Sequence, residues 1–122
     1  MRNTTRETIT RYYEGIKQKD GWQAFVSDHI TFDGTGVKST KGKDAYVEST
    51  SQFLRVVKTS QVKEMIVEGE RACVLMHYEL MSPKGNNASS DVAEILLEKD
   101  GKIDSSTIYF DTAAFNNFMA QG

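Results

Sequence analysis

The chain has 122 residues, 39% of them hydrophobic and 26% charged, with a formal net charge of −2. That is the length of one domain, 1–122, with the composition of a soluble globular core and no basic run to serve as a nucleic-acid footprint. A single cysteine, Cys73, excludes an internal disulfide framework, and no apolar run approaches the ~20 residues of a membrane span.

Helical signals come first along the chain. Thr4 and Glu7 have capping-box spacing, and Ile9, Tyr12, Tyr13 and Ile16 follow at helical intervals. They predict a helix over about 5–18, ended by "KQKDG". Nothing in "MRNTTRETI" resembles the apolar segment of a signal peptide, so a cytoplasmic protein is the expectation. Asp20 and Gln23 offer a second cap, with Trp22, Phe25 and Val26 as the buried face of a short second helix. "HITFDG" alternates and is rich in β-branched and aromatic residues, which predicts a strand that Gly34 and Gly36 break. After Gly42, the stripe Tyr46, Thr50, Phe53, Leu54 and Val57 predicts a third helix.

From residue 60 the period changes from helix to strand. "SQVKEMIVE" and "ACVLMHYELM" flank a tight hairpin around Gly69. A polar loop, 82–90, carries the only proline, Pro83. "DVAEILLEK" and "KIDSSTIYF" meet at Asp100–Gly101, a strong two-residue hairpin signal. Asp111 can cap a closing helical turn bearing Phe115, Phe118 and Met119. Segregated helices and a run of antiparallel strands indicate an α+β fold. A curved sheet whose concave face is covered by helices encloses a pocket as well as a core.

One residue in that pattern asks for chemistry. Strand alternation puts Val92, Glu94 and Leu96 on one face, so Glu94 interrupts an apolar surface. Burial there would raise its pKa and leave a neutral acid able to donate a hydrogen bond. A structural ion pair, or contact with trapped water, is the competing explanation. By the same parity Met76, Tyr78 and Leu80 share a face of one strand, and Ser106, Ile108 and Phe110 share a face of another. The two histidines and one cysteine have no ligand spacing, so no metal site and no cofactor are expected. Phosphate-binding glycine loops and nucleophile elbows are absent. His77 falls out of phase with Met76 and Tyr78, which places it on the outer face. His29 lies at a helix-to-strand junction, and Cys73 has no recognisable base beside it.

The ordered set "RYYEGIKQKDGWQAFVSDHITFDG", "KGKDAYVESTSQFL", "DVAEILLEKDGKI" and "YFDTAAF" resembles the nuclear transport factor 2-like superfamily. That superfamily includes ketosteroid isomerase and the SnoaL-like polyketide cyclases. The resemblance spans nearly the whole chain. It implies a cone-shaped α+β fold in which a curved antiparallel sheet is packed by N-terminal helices around a pocket. Ketosteroid isomerase pairs a first-helix tyrosine with a carboxylic acid held neutral on a late strand. The matching residues here are Tyr12 and Glu94. The isomerase's catalytic base corresponds to Gly34, whose neighbour Asp33 could substitute only if the backbone re-aims it; a turn-capping role is its alternative. The concave lining implied is Trp22, Met76, Tyr78, Leu80, Val92, Ser106, Ile108 and Phe110, suited to a small apolar molecule. The epoxide-hydrolase branch of the fold uses an Asp–Arg–Asp set on late strands, and no arginine follows Arg71. Two functions fit the residues: an isomerase, cyclase or dehydratase acting on an apolar carbonyl compound, or a non-catalytic binding or dimerisation module. A homodimer through the sheet is the expected assembly, since Ala93, Ile95 and Leu97 give the outer face an apolar surface to cover.

Overall fold

The structure is a computed structural model and describes residues 4–35 and 37–121. Gly36, one of the two expected strand breakers, lies outside those residues. Helix α1 spans Thr5–Gln18. Its start is closed by the capping box: Thr4 Oγ1 accepts from the Glu7 N–H at 3.1 Å, and Glu7 Oε1 accepts from the Thr4 N–H at 3.3 Å. The chain leaves the helix through Lys19 in the left-handed conformation. It then folds back so tightly that a Cβ on Gly15 would sit 2.6 Å from the Trp22 backbone nitrogen. Only glycine allows that return, which seats Trp22 in the core beneath α1.

The expected second helix is a single 3₁₀ turn, Trp22–Phe25, with no side-chain cap. Val26 opens strand β1, Val26–Gly34, in place of ending a helical face. Strand β2, Val37–Lys41, follows and pairs with β1. Helix α2, Lys43–Leu54, ends one turn early, and Val57 begins strand β3, Val57–Glu68. Strands β4 (Arg71–Met81), β5 (Asn87–Lys99) and β6 (Lys102–Tyr109) complete the sheet, and helix α3, Thr112–Gln121, closes the chain. β5 begins four residues before the expected start, because Asn87–Ser90 pair with the end of β4.

The six strands lie in the order β2-β1-β6-β5-β4-β3. All neighbours are antiparallel apart from β1 and β6, which run parallel. The sheet is therefore mixed where an antiparallel one was expected. A parallel neighbour requires a long crossover, and here the whole segment from β2 to β5 supplies it. The sheet is curved and open, and the fold is the α+β cone. Every second residue of β4 is buried, so Val74, Met76, Tyr78 and Leu80 all face inward. They meet Ile9, Tyr12, Tyr13 and Ile16 of α1 in one core. No helix among the described residues is long and apolar enough to cross a membrane.

Candidate functional site

The helices do not fill the concave side of the sheet completely. A cavity of about 330 Å³ remains between α1, α2, α3 and the inner faces of β4, β5 and β6. Glu94 stands on its wall, in register with Val74 on β4 and Ile108 on β6. Its carboxylate accepts a hydrogen bond from the Tyr13 hydroxyl. Part of the side chain opens on the cavity, yet protein surrounds it deeply enough that burial pushes its pKa from 4.5 up to about 7. The Tyr13 bond pulls in the opposite direction, since it favours the charged form, and it is outweighed.

Tyr12 does not join this pair. Successive helical residues point about 100° apart, so only one of two adjacent tyrosines can address Glu94. Tyr13 takes that role, and the Tyr12 hydroxyl shares a 2.6 Å hydrogen bond with Tyr46 of α2. The hydrogen-bond partner of Glu94 is therefore Tyr13, while Tyr12, the tyrosine expected across the pocket from Glu94, lines the same cavity with its hydroxyl on Tyr46. Burial raises the Tyr46 pKa to about 12; the charge of Glu94 adds to the rise, and contacts with Tyr12, Ser106 and Thr50 lower it. Tyr12, Tyr13 and Tyr78 are likewise pushed well above the usual tyrosine range, first by burial. All four phenols stay protonated at neutral pH and act as hydrogen-bonding groups.

Asp33 sits at the mouth of the cavity, but its carboxylate is exposed and accepts a 3.0 Å hydrogen bond from Thr107 Oγ1. Thr107 pairs with Ile95 on the outer side of the sheet, whereas Ser106 and Ile108 face the cavity. The neighbouring position cannot supply a base either. A Cβ on Gly34 would lie 2.1 Å from the Ile108 carbonyl oxygen, so this approach of β1 to β6 admits no side chain.

A SnoaL-like domain model matches residues 9–105. The chain belongs to the SnoaL-like domain family. No curated protein matches it at a significant level. Among solved structures, this SnoaL-like chain is similar to TerC co-crystallised with polyporic acid, at 22% identity and TM-score 0.81, over 95% of this chain and 98% of that one. It is also similar to an inferred SnoaL-like polyketide cyclase from Jannaschia sp. CCS1, at 13% identity and TM-score 0.82, over 97% and 92% of the two chains. A third is a nuclear transport factor 2-like protein of unknown function from Burkholderia pseudomallei K96243, at 17% identity and TM-score 0.82, over 95% and 97%. At these identities the likeness concerns the fold.

Within the SnoaL-like fold, Tyr78, Val92, Ser106, Ile108 and Phe110 line the cavity together with Glu94. Trp22, Met76 and Leu80 do not. Trp22 is packed edge-on against the rings of Tyr12 and Tyr46. Met76 lies toward α1, beside a separate recess that Arg6, Thr10 and Lys17 border. Leu80 is buried opposite Val57. Facing inward is necessary for lining the cavity but not sufficient, because helix packing covers these rows. Tyr13, Tyr46, Phe53, Phe115 and Met119 also line it. Their signals lay in the helical stripes, where a core side chain and a cavity wall look alike. His77 is on the outer face, its Nδ1 2.7 Å from Asp91 Oδ1 and its Nε2 against Glu79, and these carboxylates, Asp91 first, raise its pKa. Among the described residues no cluster of three or more metal-ligating side chains occurs.

Proposed function

We propose that this SnoaL-like protein holds a small, largely apolar carbonyl compound in the cavity and catalyses proton transfer on it, as an isomerase, cyclase or dehydratase does. The observation that carries the reading is Glu94, which opens on the cavity with a pKa near 7 and a single tyrosine partner. A proton-transfer group works best when its pKa lies near the operating pH. Protonated, Glu94 can donate to a carbonyl oxygen; ionised, it can accept a proton from the adjacent carbon. Tyr13 positions the carboxyl, and the Tyr12–Tyr46 pair offers a second hydroxyl to an oxygen of the ligand. The fold shared with an inferred polyketide cyclase is consistent with such a ligand.

Hydrogen–deuterium exchange at the α-carbon of 2-acetonaphthone, followed by NMR in D2O, tests this directly. Exchange accelerated by the wild-type chain and lost in Glu94→Gln supports the assignment. Binding of the ketone without exchange supports a second reading, a non-catalytic binding module. That reading is favoured by the outward turn of Asp33 and by the closed position at Gly34, which leave no second carboxylate aimed into the cavity among the described residues.

We also infer that two copies associate through the outer sheet face. Ile66, Leu75, Ile95 and Tyr109 are exposed there on four adjacent strands, in register through Cys73 and Ala93. Contiguous apolar surface of this kind marks an interaction site. A monomeric mass by light scattering at micromolar concentration would count against it.

A further inference from the structure

A cavity selects its ligand's charge as well as its shape. Eight of the residues that line this one are aromatic, including Phe53, Phe115 and the four tyrosines. Aromatic faces carry negative electrostatic potential and attract cations. The ionisable groups are acids without exception: Glu94, Asp33 and the phenols. Among the described residues no lysine, arginine or histidine lines the cavity. The groups facing Glu94 are Tyr12 and Tyr13 from α1, Tyr46 from α2 and Tyr78 from β4. Neighbouring β6 adds only Ser106 and Ile108, and the Asp33 carboxylate of β1 is held outward by Thr107. When Glu94 ionises, the protein therefore offers it a tyrosine hydrogen bond and no counter-charge.

We propose that the cavity prefers an apolar ligand bearing a protonated amine over the matched neutral compound, and rejects the matched anion. This rests on the reading that the cavity is a ligand site, and it names the functional group that suits the site best. An ammonium beside Glu94 supplies the missing counter-charge and donates hydrogen bonds to the carboxylate and the phenol oxygens. Its charge then lies among ring faces in a region of low dielectric, where both attractions are stronger than in water. A carboxylate ligand meets the opposite conditions. It is desolvated next to Glu94 with no cation to receive it, so one of the two acids must first take up a proton.

The pH dependence separates the two ligand types. Glu94 becomes anionic as pH rises through about 7, while an aliphatic amine stays protonated well above that range, as lysine does. Amine affinity therefore increases across neutrality. A neutral carbonyl or hydroxyl compound, which accepts a hydrogen bond from the protonated acid, loses affinity over the same interval.

The test uses the full chain and three probes of one shape: 2-naphthylmethylamine, 2-naphthylmethanol and 2-naphthoate, titrated calorimetrically at pH 5.5 and pH 8. The expected result at pH 8 is an amine about tenfold tighter than the alcohol, with naphthoate weakest. At pH 5.5 the amine's advantage falls several-fold. Glu94→Gln abolishes that advantage and its pH dependence; if the variant does not fold, the wild-type pH dependence alone decides. Equal affinity for amine and alcohol at pH 8, or tighter binding of naphthoate, overturns the charge preference and leaves the ligand-site reading in place. Failure of all three to bind at millimolar concentration overturns both.

Discussion

Two glutamates on β5 lie four residues apart and point to the same side of the sheet, yet the fold treats them differently. Glu98 is fully buried, and both carboxylate oxygens are occupied: Thr5 Oγ1 donates to one at 2.6 Å and the Gly101 N–H to the other at 2.6 Å. Glu94 has one donor, Tyr13, and opens on a cavity. The first carboxylate ties the start of α1 to the β5–β6 turn. The second is left partly unsatisfied in surroundings that push it toward neutrality. A buried acid is therefore not by itself a sign of chemistry; an acid that the protein could have satisfied, and did not, is a better one.

The largest effect should come from the satisfied member. Glu98→Ala leaves the Gly101 N–H and the Thr5 hydroxyl without their acceptor and opens a cavity in the core. The expected loss is about 2–4 kcal/mol of unfolding free energy, read by urea denaturation. A loss below about 1 kcal/mol would mean that Glu98 does not hold these elements together.

The next prediction addresses Glu94 through pH. Its folded-state pKa lies above that of the unfolded chain, so the native state binds more protons between about 4.5 and 7. The stability that comes from keeping this acid neutral is fully present below the unfolded value and is lost as pH rises through the folded one. With allowance for the part of the side chain that reaches the cavity, the loss is about 1–3 kcal/mol. Glu94→Gln, which carries no titrating proton, should flatten that segment of the stability–pH curve and become the more stable chain at pH 8. A variant whose curve parallels the wild type from pH 4 to 8 would break the contrast between the two glutamates.

This contrast also marks what was legible in the sequence. Glu94 stood out because it interrupts an apolar run, V-A-E-I-L-L, where alternation assigns it a buried face. Glu98 did not, because it precedes the polar turn K-D-G and reads as a strand-end charge; its burial depends on contact with Thr5, 93 residues away. The helices and most strands were readable because local periodicity and caps specify them. Strand β2 was not, since "VKSTK" has no apolar alternation and its existence follows from pairing with β1. The parallel β1–β6 contact is a long-range choice with no local signature. Tyr12 and Tyr13 show the remaining limit. The sequence places two tyrosines on one helix, and helical phase against a sheet not yet built decides which of them meets Glu94.

That choice gives a smaller, sharper test. Tyr13→Phe removes the donor that favours the ionised carboxylate, so the Glu94 titration midpoint, followed by carboxyl carbon NMR, should move above about 7. The accompanying stability loss is about 1 kcal/mol. Tyr12→Phe breaks a bond to Tyr46, not to Glu94, and should shift the midpoint less. Equal shifts from the two substitutions would show that Tyr12 senses Glu94 as closely as Tyr13 does.

The smallest expected effect belongs to the third carboxylate of the comparison. Asp33 has the charge that a base needs, but it is exposed and its hydrogen bond to Thr107 joins β1 to β6 on the outer face of the sheet. Exposed polar pairs of this kind contribute little, so Asp33→Asn should alter stability by no more than about 0.5 kcal/mol. Amide for carboxylate keeps an acceptor for the Thr107 hydroxyl, so β1 and β6 should keep their register. The Glu94 midpoint should also hold, because the mouth of the cavity is open to solvent that screens a charge there. A clear drop in the Glu94 midpoint on neutralising Asp33 would show that the two carboxylates sense one another. Asp33 would then belong to the inner site, and the distinction between a satisfied and an unsatisfied acid would have to include a third term.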